Sequence, residues 1–159
     1  MGSRVPEVID VLVQLAKTED AYEASADHPC GVVVADGPQV TDDESPDWLV
    51  VGFDGDPDGD FESAQTVGGW SDLGGGREEE FQVTVAAISN RGDANNVAAR
   101  ARVYEIAARV EAWLMADPSL GLPGLEAFVG GTRLVQDQTE KGASVRLLLS
   151  VAGRGFTRR

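Results

Sequence analysis

The chain has 159 residues, enough for one domain with a real core, and carries 27 Asp and Glu against 13 Lys and Arg, a net charge of −14. Phosphate groups bind to basic surfaces, so this balance argues against wrapping nucleic acid or lying on an anionic membrane. A hydrophobic fraction of 42% is too high for a wholly disordered chain, and no stretch approaches the roughly 18 consecutive apolar residues of a membrane span.

The charge is unevenly spread. Residues 1–80 hold 20 acids and 3 bases, whereas residues 81–159 hold 7 acids and 10 bases. Cys30 is the one cysteine, so no internal disulfide can form and a reducing compartment is expected. The first twenty residues place acids inside their apolar pattern and lack a small-residue cleavage site, unlike a secretory signal.

Val5, Val8, Ile9, Leu12, Leu15 and Ala16 recur at helical spacing, and Pro6 suits a first turn, which predicts a helix over about Pro6 to Glu19. Gly31 to Ala35 is a β-branched run closed by Asp36-Gly37-Pro38. The acidic, Pro-bounded arm from Asp36 to Asp47 reads as an exposed loop. Trp48 to Phe53 is apolar on both faces, which suits a strand covered on both sides or one at a subunit contact.

Residues 54–77 are rich in Gly and Asp, lack periodicity, and read as a long loop with a short edge strand at Thr66 to Trp70. Glu80 to Ser89 alternates cleanly as a strand, with Phe81, Val83, Val85 and Ala87 on one face. Asp93 or Asn95 can cap a helix over Asn96 to Ala116, whose buried stripe is Ala99, Val103, Ile106, Val110, Trp113 and Leu114. Glu105 and Arg109 are expected to pair on its opposite side. Asp117-Pro118, Gly121 and Pro123 stop the helix.

The last third reads as a hairpin. One strand runs roughly Leu125 to Gln138 with a kink at Gly130-Gly131, a turn follows at Glu140 to Gly142, and the second strand is Ala143 to Ala152. A short basic tail, 153–159, ends the chain. The expected fold is therefore a single α+β domain over 1–159. It has a mainly antiparallel sheet of four to five strands, two amphipathic helices on one face and the other face partly open.

Few residues suggest chemistry. Asp54, Asp56 and Asp58 match the first half of a calcium loop, with Gly59 at the sharp turn, but Gln65 stands where the bidentate carboxylate belongs. A solvated Asp/Gly/Pro turn is the plainer expectation. His28 and Cys30 are the only residues of their types and sit two apart in a loop, too few for zinc and poorly placed as a nucleophile and base. Gly74-Gly75-Gly76 lacks the Lys-Ser/Thr of a phosphate loop, and Arg91-Gly92-Asp93 reads as a strand-to-helix turn. The acids cluster in loops where burial is not expected, so no carboxyl reads as a general acid. No catalytic residue, cofactor or metal is expected.

Four segments together resemble the tail terminator proteins of long-tailed bacteriophages, particularly those of actinobacterial hosts. They are Trp48 to Pro57, Glu78 to Val85, the Ala/Arg-rich helix running into Ala116 to Gly124, and Gly131 to Val145. The likeness covers most of the chain, and its motifs are structural. It implies a non-enzymatic virion protein at the tail–head junction, assembled in the bacterial cytoplasm. Such a protein forms a homohexameric ring that caps the head-proximal end of the tail tube, ends its polymerisation and meets the head-completion, or stopper, protein. DNA passes through the lumen unheld, and no membrane is involved.

Within that reading, the expected contacts between subunits or with partners are Trp48, Phe53, Trp70, Arg100, Arg102, Arg154 and Arg158. The opposite charges of the two halves suit a head-to-tail contact that closes into a ring. Two other readings fit the sequence: a calcium-binding interaction module using the Asp54–Asp60 loop, and an acidic DNA mimic that inhibits a nucleic-acid enzyme.

Overall fold

The computed structural model describes residues 2–71 and 76–157, without the side chains of Trp70 and Ser71. The elements in chain order are α1 (Val5–Lys17), β1 (Val33–Asp36), β2 (Asp47–Val51), β3 (Ala64–Ser71), β4 (Arg77–Arg91), α2 (Asn96–Ala116), β5 (Leu125–Thr139) and β6 (Gly142–Phe156). A 3-10 turn at Asp20–Tyr22 follows α1. The fold is α+β, with an open and mostly antiparallel sheet covered by two helices.

The strand order is β1-β2-β4-β6-β5, and β3 pairs with β4 beside β2. The length of β4 explains the branch. Its second half, Val85 to Ser89, pairs with β2, while its first half, Arg77 to Val83, pairs with β3. The β1–β2 pair is parallel and the other pairs are antiparallel.

One core lies between the helices and the sheet. Val8, Leu12 and Ala16 of α1 and Val103, Ile106 and Val110 of α2 pack on Leu49, Val83, Val85, Leu147, Leu149 and Val151. Each strand contributes alternate residues, as the period of two requires. The α2 helix starts where the Asn95 side chain accepts the Ala98 N–H at 3.1 Å, which satisfies one of the free first-turn donors. It stops at Asp117, whose carboxylate accepts the Ser119 and Gly121 N–H groups ahead of the next turn.

Three expectations are corrected. The sheet has six strands among the described residues, not four to five, because the short edge strand expected at Thr66 to Trp70 is a full eight-residue strand, Ala64–Ser71. Its residues find partners along β4, a non-local pairing that local periodicity does not register. The hairpin also runs further than its sequence suggests: residues 153–156 belong to β6, because Glu78 to Phe81 supply a ladder for them. Finally, Glu105 does not pair with Arg109. It accepts a bond from Arg102, and Arg109 turns to Glu19 beyond the end of α1.

Candidate functional site

The helix side of the sheet carries buried charge. Asp47 opens β2 on the face toward α2, and its side chain is 1% exposed. Its Oδ2 accepts from Arg102 Nε at 2.9 Å, and its Oδ1 from Ser89 Oγ at 2.7 Å and Arg91 at 3.4 Å. The other arm of Arg102 donates to Glu105 at 3.0 Å. The His28 ring lies 3.8 Å from Asp47 and 4.0 Å from Glu105. This cluster ties β2, β4, α2 and the loop before β1 together.

A second clasp sits one helical turn further along α2. Arg109 Nε and Trp113 Nε1 both donate to Glu19 Oε1, the latter at 2.9 Å. Burial pushes the Glu19 carboxyl upward, but the hydrogen bonds from Arg109 and Trp113 outweigh it and hold the group below the ordinary carboxylate range. Tyr22 donates its hydroxyl to the Ile106 carbonyl at 2.6 Å and meets the Trp113 ring edge-on at 6.0 Å. Burial, reinforced by the Glu19 charge, raises the Tyr22 phenol above its usual value. A third clasp is Arg4, whose guanidinium donates to the Pro123 carbonyl at 2.9 Å and the Phe156 carbonyl at 3.3 Å. These groups are bonded to one another and to backbone, so their work is to hold layers in place.

The opposite sheet face is different. Register puts Val67, Glu80, Arg154 and Glu126 in one row across β3, β4, β6 and β5, and Gln65, Gln82, Ala152 and Phe128 in the next. Phe128 is 61% exposed and Val67 68%, and together these rows border a shallow hollow of about 500 Å³. The other half of this face is covered. The loop after β2 lies over it, with Gly55 against Ile88 and Arg146, and Arg146 donates to the Asp54 carbonyl at 2.6 Å. Trp48 therefore sits on a strand that is covered on both sides.

The outer borders of the sheet are also free. Among the described residues, β5 pairs only with β6, and β3 pairs only with β4. The bare half of the sheet thus has an unpaired strand on each side.

The residues expected at contacts fall into three groups. Trp48 is half-buried and its indole donates to the Ser45 carbonyl at 2.7 Å; Phe53 stacks on Phe61 at 5.3 Å between ring centres. Both border a groove of about 460 Å³ with Pro57, Ile88 and Arg146. Arg102 is corrected: it is 7% exposed, bonded to Asp47, and belongs to the interior. Arg100 and Arg154 remain at the surface, bonded to Gln136 at 2.9 Å and paired with Glu126 at 3.6 Å. Arg158 and the side chain of Trp70 lie outside the described residues.

In the acidic loop, Asp54, Asp56 and Asp60 each accept the N–H two residues on. Gln65 is carried away into β3 opposite Gln82. Among the described residues, no three His, Cys, Asp or Glu side chains converge as metal ligands. Cys30 is exposed, and His28 belongs to the Asp47 cluster.

Sequence reading missed the Asp47 cluster and the Val67–Phe128 patch. A signal for the first was present: Asp47 is an acid in phase with Leu49 and Val51, the fully buried residues of β2 on the helix side. No local signal marked the second, because it depends on cross-strand register.

Compared with known proteins, the chain matches no family model, and no curated protein is significantly similar to it.

Proposed function

We propose that the chain is a non-enzymatic virion structural protein of the tail-terminator kind. In this reading copies join head to tail into a ring, a homohexamer, on the head-proximal end of a phage tail tube. The ring ends tube polymerisation, meets the head-completion protein on its other side, and passes DNA through its lumen.

The observation that carries the reading is the bare half-sheet bounded by two free strands, β3 and β5. A head-to-tail contact needs two different, complementary borders on one subunit. The 15-residue β5 and the 8-residue β3 are two such borders, on opposite sides of one sheet. Edge pairing supplies main-chain hydrogen bonds without demanding a large apolar patch. The acidic surface suits the lumen, since repelling phosphate lets DNA slide without sticking. The resemblance of Trp48 to Pro57 and Gly131 to Val145 to tail terminators points the same way.

The test is assembly. Purified chain added to polymerising tail tube protein is expected to halt elongation and leave capped tubes of fixed length. Tubes that lengthen unchanged at saturating chain would reject the proposal.

A further inference from the structure

The α2 helix is apolar on two faces. One packs on the sheet through Val103, Ile106 and Val110. The other presents Val97, Ala101, Tyr104, Ala108 and Met115, all exposed, with Val97 at 68%, Tyr104 at 49% and Met115 at 83%. Their spacing alternates four, three, four and then seven residues, the seam period of a helix that packs on another helix. Glu111 fills the one remaining seam position. Exposed apolar residues aligned at a seam spacing mark a packing face, and among the described residues nothing of the chain covers this second face.

We infer that this face of α2 packs against the same face of α2 in a second copy, antiparallel about a two-fold axis between Tyr104 and Ala108. Two features select a second copy over another partner. The first is shape. Full antiparallel overlap sets Tyr104 against Ala108, Ala101 against Glu111 and Val97 against Met115, so large residues mostly meet small ones. By symmetry each pairing occurs twice.

The second is charge. The chain is −14 overall, which opposes association of copies, but α2 holds three Arg and two Glu, so this element does not share the acidic excess. In this register Glu111 comes beside Arg100 of the other copy, where opposite charges meet at both ends of the contact. Among the described residues Arg100 bonds only neutral Gln136, which leaves its charge to serve there. Glu105 lies off the seam and is held back by Arg102 and His28. The contact is independent of the ring reading, which uses the sheet borders.

The test has two arms. By sedimentation, the wild-type chain should self-associate, and Ala108→Glu should weaken that step about tenfold or more by burying an unpaired charge. In a Cys30→Ser background, Tyr104→Cys and Ala108→Cys copies should form a disulfide dimer when mixed. Neither should do so alone, because like positions are set apart along the axis beyond disulfide reach. A wild-type chain with no such step, a step unmoved by Ala108→Glu, or a Tyr104→Cys copy that cross-links to itself would each overturn the inference. If Ala108→Glu fails to fold, the cysteine mixture alone decides. Rings that persist in Ala108→Glu leave the ring reading standing whatever the outcome here.

Discussion

Arg102 of α2 donates to Asp47 of β2 at 2.9 Å, and both side chains are buried. The bond joins residues 55 apart in sequence and pins the longer helix to the sheet. Asp47 also serves Ser89 and Arg91. Removing one member of such a cluster leaves the others as uncompensated buried charge. Asp47→Ala is expected to cost about 3–5 kcal/mol in urea unfolding. Replacing both, Asp47→Leu with Arg102→Met, should recover much of that loss. A single-variant loss under about 1 kcal/mol would contradict the assignment.

Glu19 sets an acid limit. Its folded pKa is depressed despite burial, because Arg109 and Trp113 bond the charged form. A depressed carboxyl contributes stability that is present above its unfolded pKa and lost as pH falls through the folded value. The stability gap between wild type and Glu19→Gln should therefore be widest above about pH 5 and close below it. A gap independent of pH between 2 and 7, read by thermal unfolding at about one-unit steps, is the contrary result.

Gly142 turns the β5–β6 hairpin with φ at +114°, and a Cβ there would lie 2.1 Å from the Arg91 carbonyl oxygen. Both facts exclude a side chain. Gly142→Ala should destabilise by about 1–3 kcal/mol from backbone strain alone. Gly121 also has a positive φ, but a Cβ there meets nothing within 4 Å. Gly121→Ala should therefore cost clearly less, and equal losses in chemical unfolding would count against the distinction.

The acidic loop offers a ligand test. Gln65 lies in β3, and no third carboxylate converges with Asp54 and Asp56 among the described residues. Calcium at about 1 mM is expected to leave the melting temperature unchanged and to release no heat of binding. A saturable heat with a raised melting temperature would restore the calcium-module reading.

The sequence announced what is local. The α2 helix spans Asn96–Ala116 as its periodicity and Asn95 cap require, and the Gly130 bulge and Gly142 turn fall where glycines mark them. What stayed hidden is non-local. The edge strand expected at Thr66 to Trp70 reaches its full length, Ala64–Ser71, through its pairing with β4, and residues 153–156 extend β6 because Glu78 to Phe81 face them. Arg102 read as a residue free to meet another subunit, since nothing near it in sequence names Asp47 as its partner. The patch of Val67 and Phe128 joins residues 61 apart through three strand registers. The exposed stripe of α2 was present in the heptad-like spacing of Val97, Ala101, Tyr104 and Ala108, but only burial separated it from the core stripe.

The most direct measurement of the central claim is averaged imaging of long-tailed particles purified from the native host, with mass spectrometry of their proteins. The account predicts this chain in the particle and a six-fold ring of density, matching the two-helix, six-strand subunit, between the tail tube and the head connector. Particles that lack the chain, or a junction whose ring is built from another fold, would contradict it.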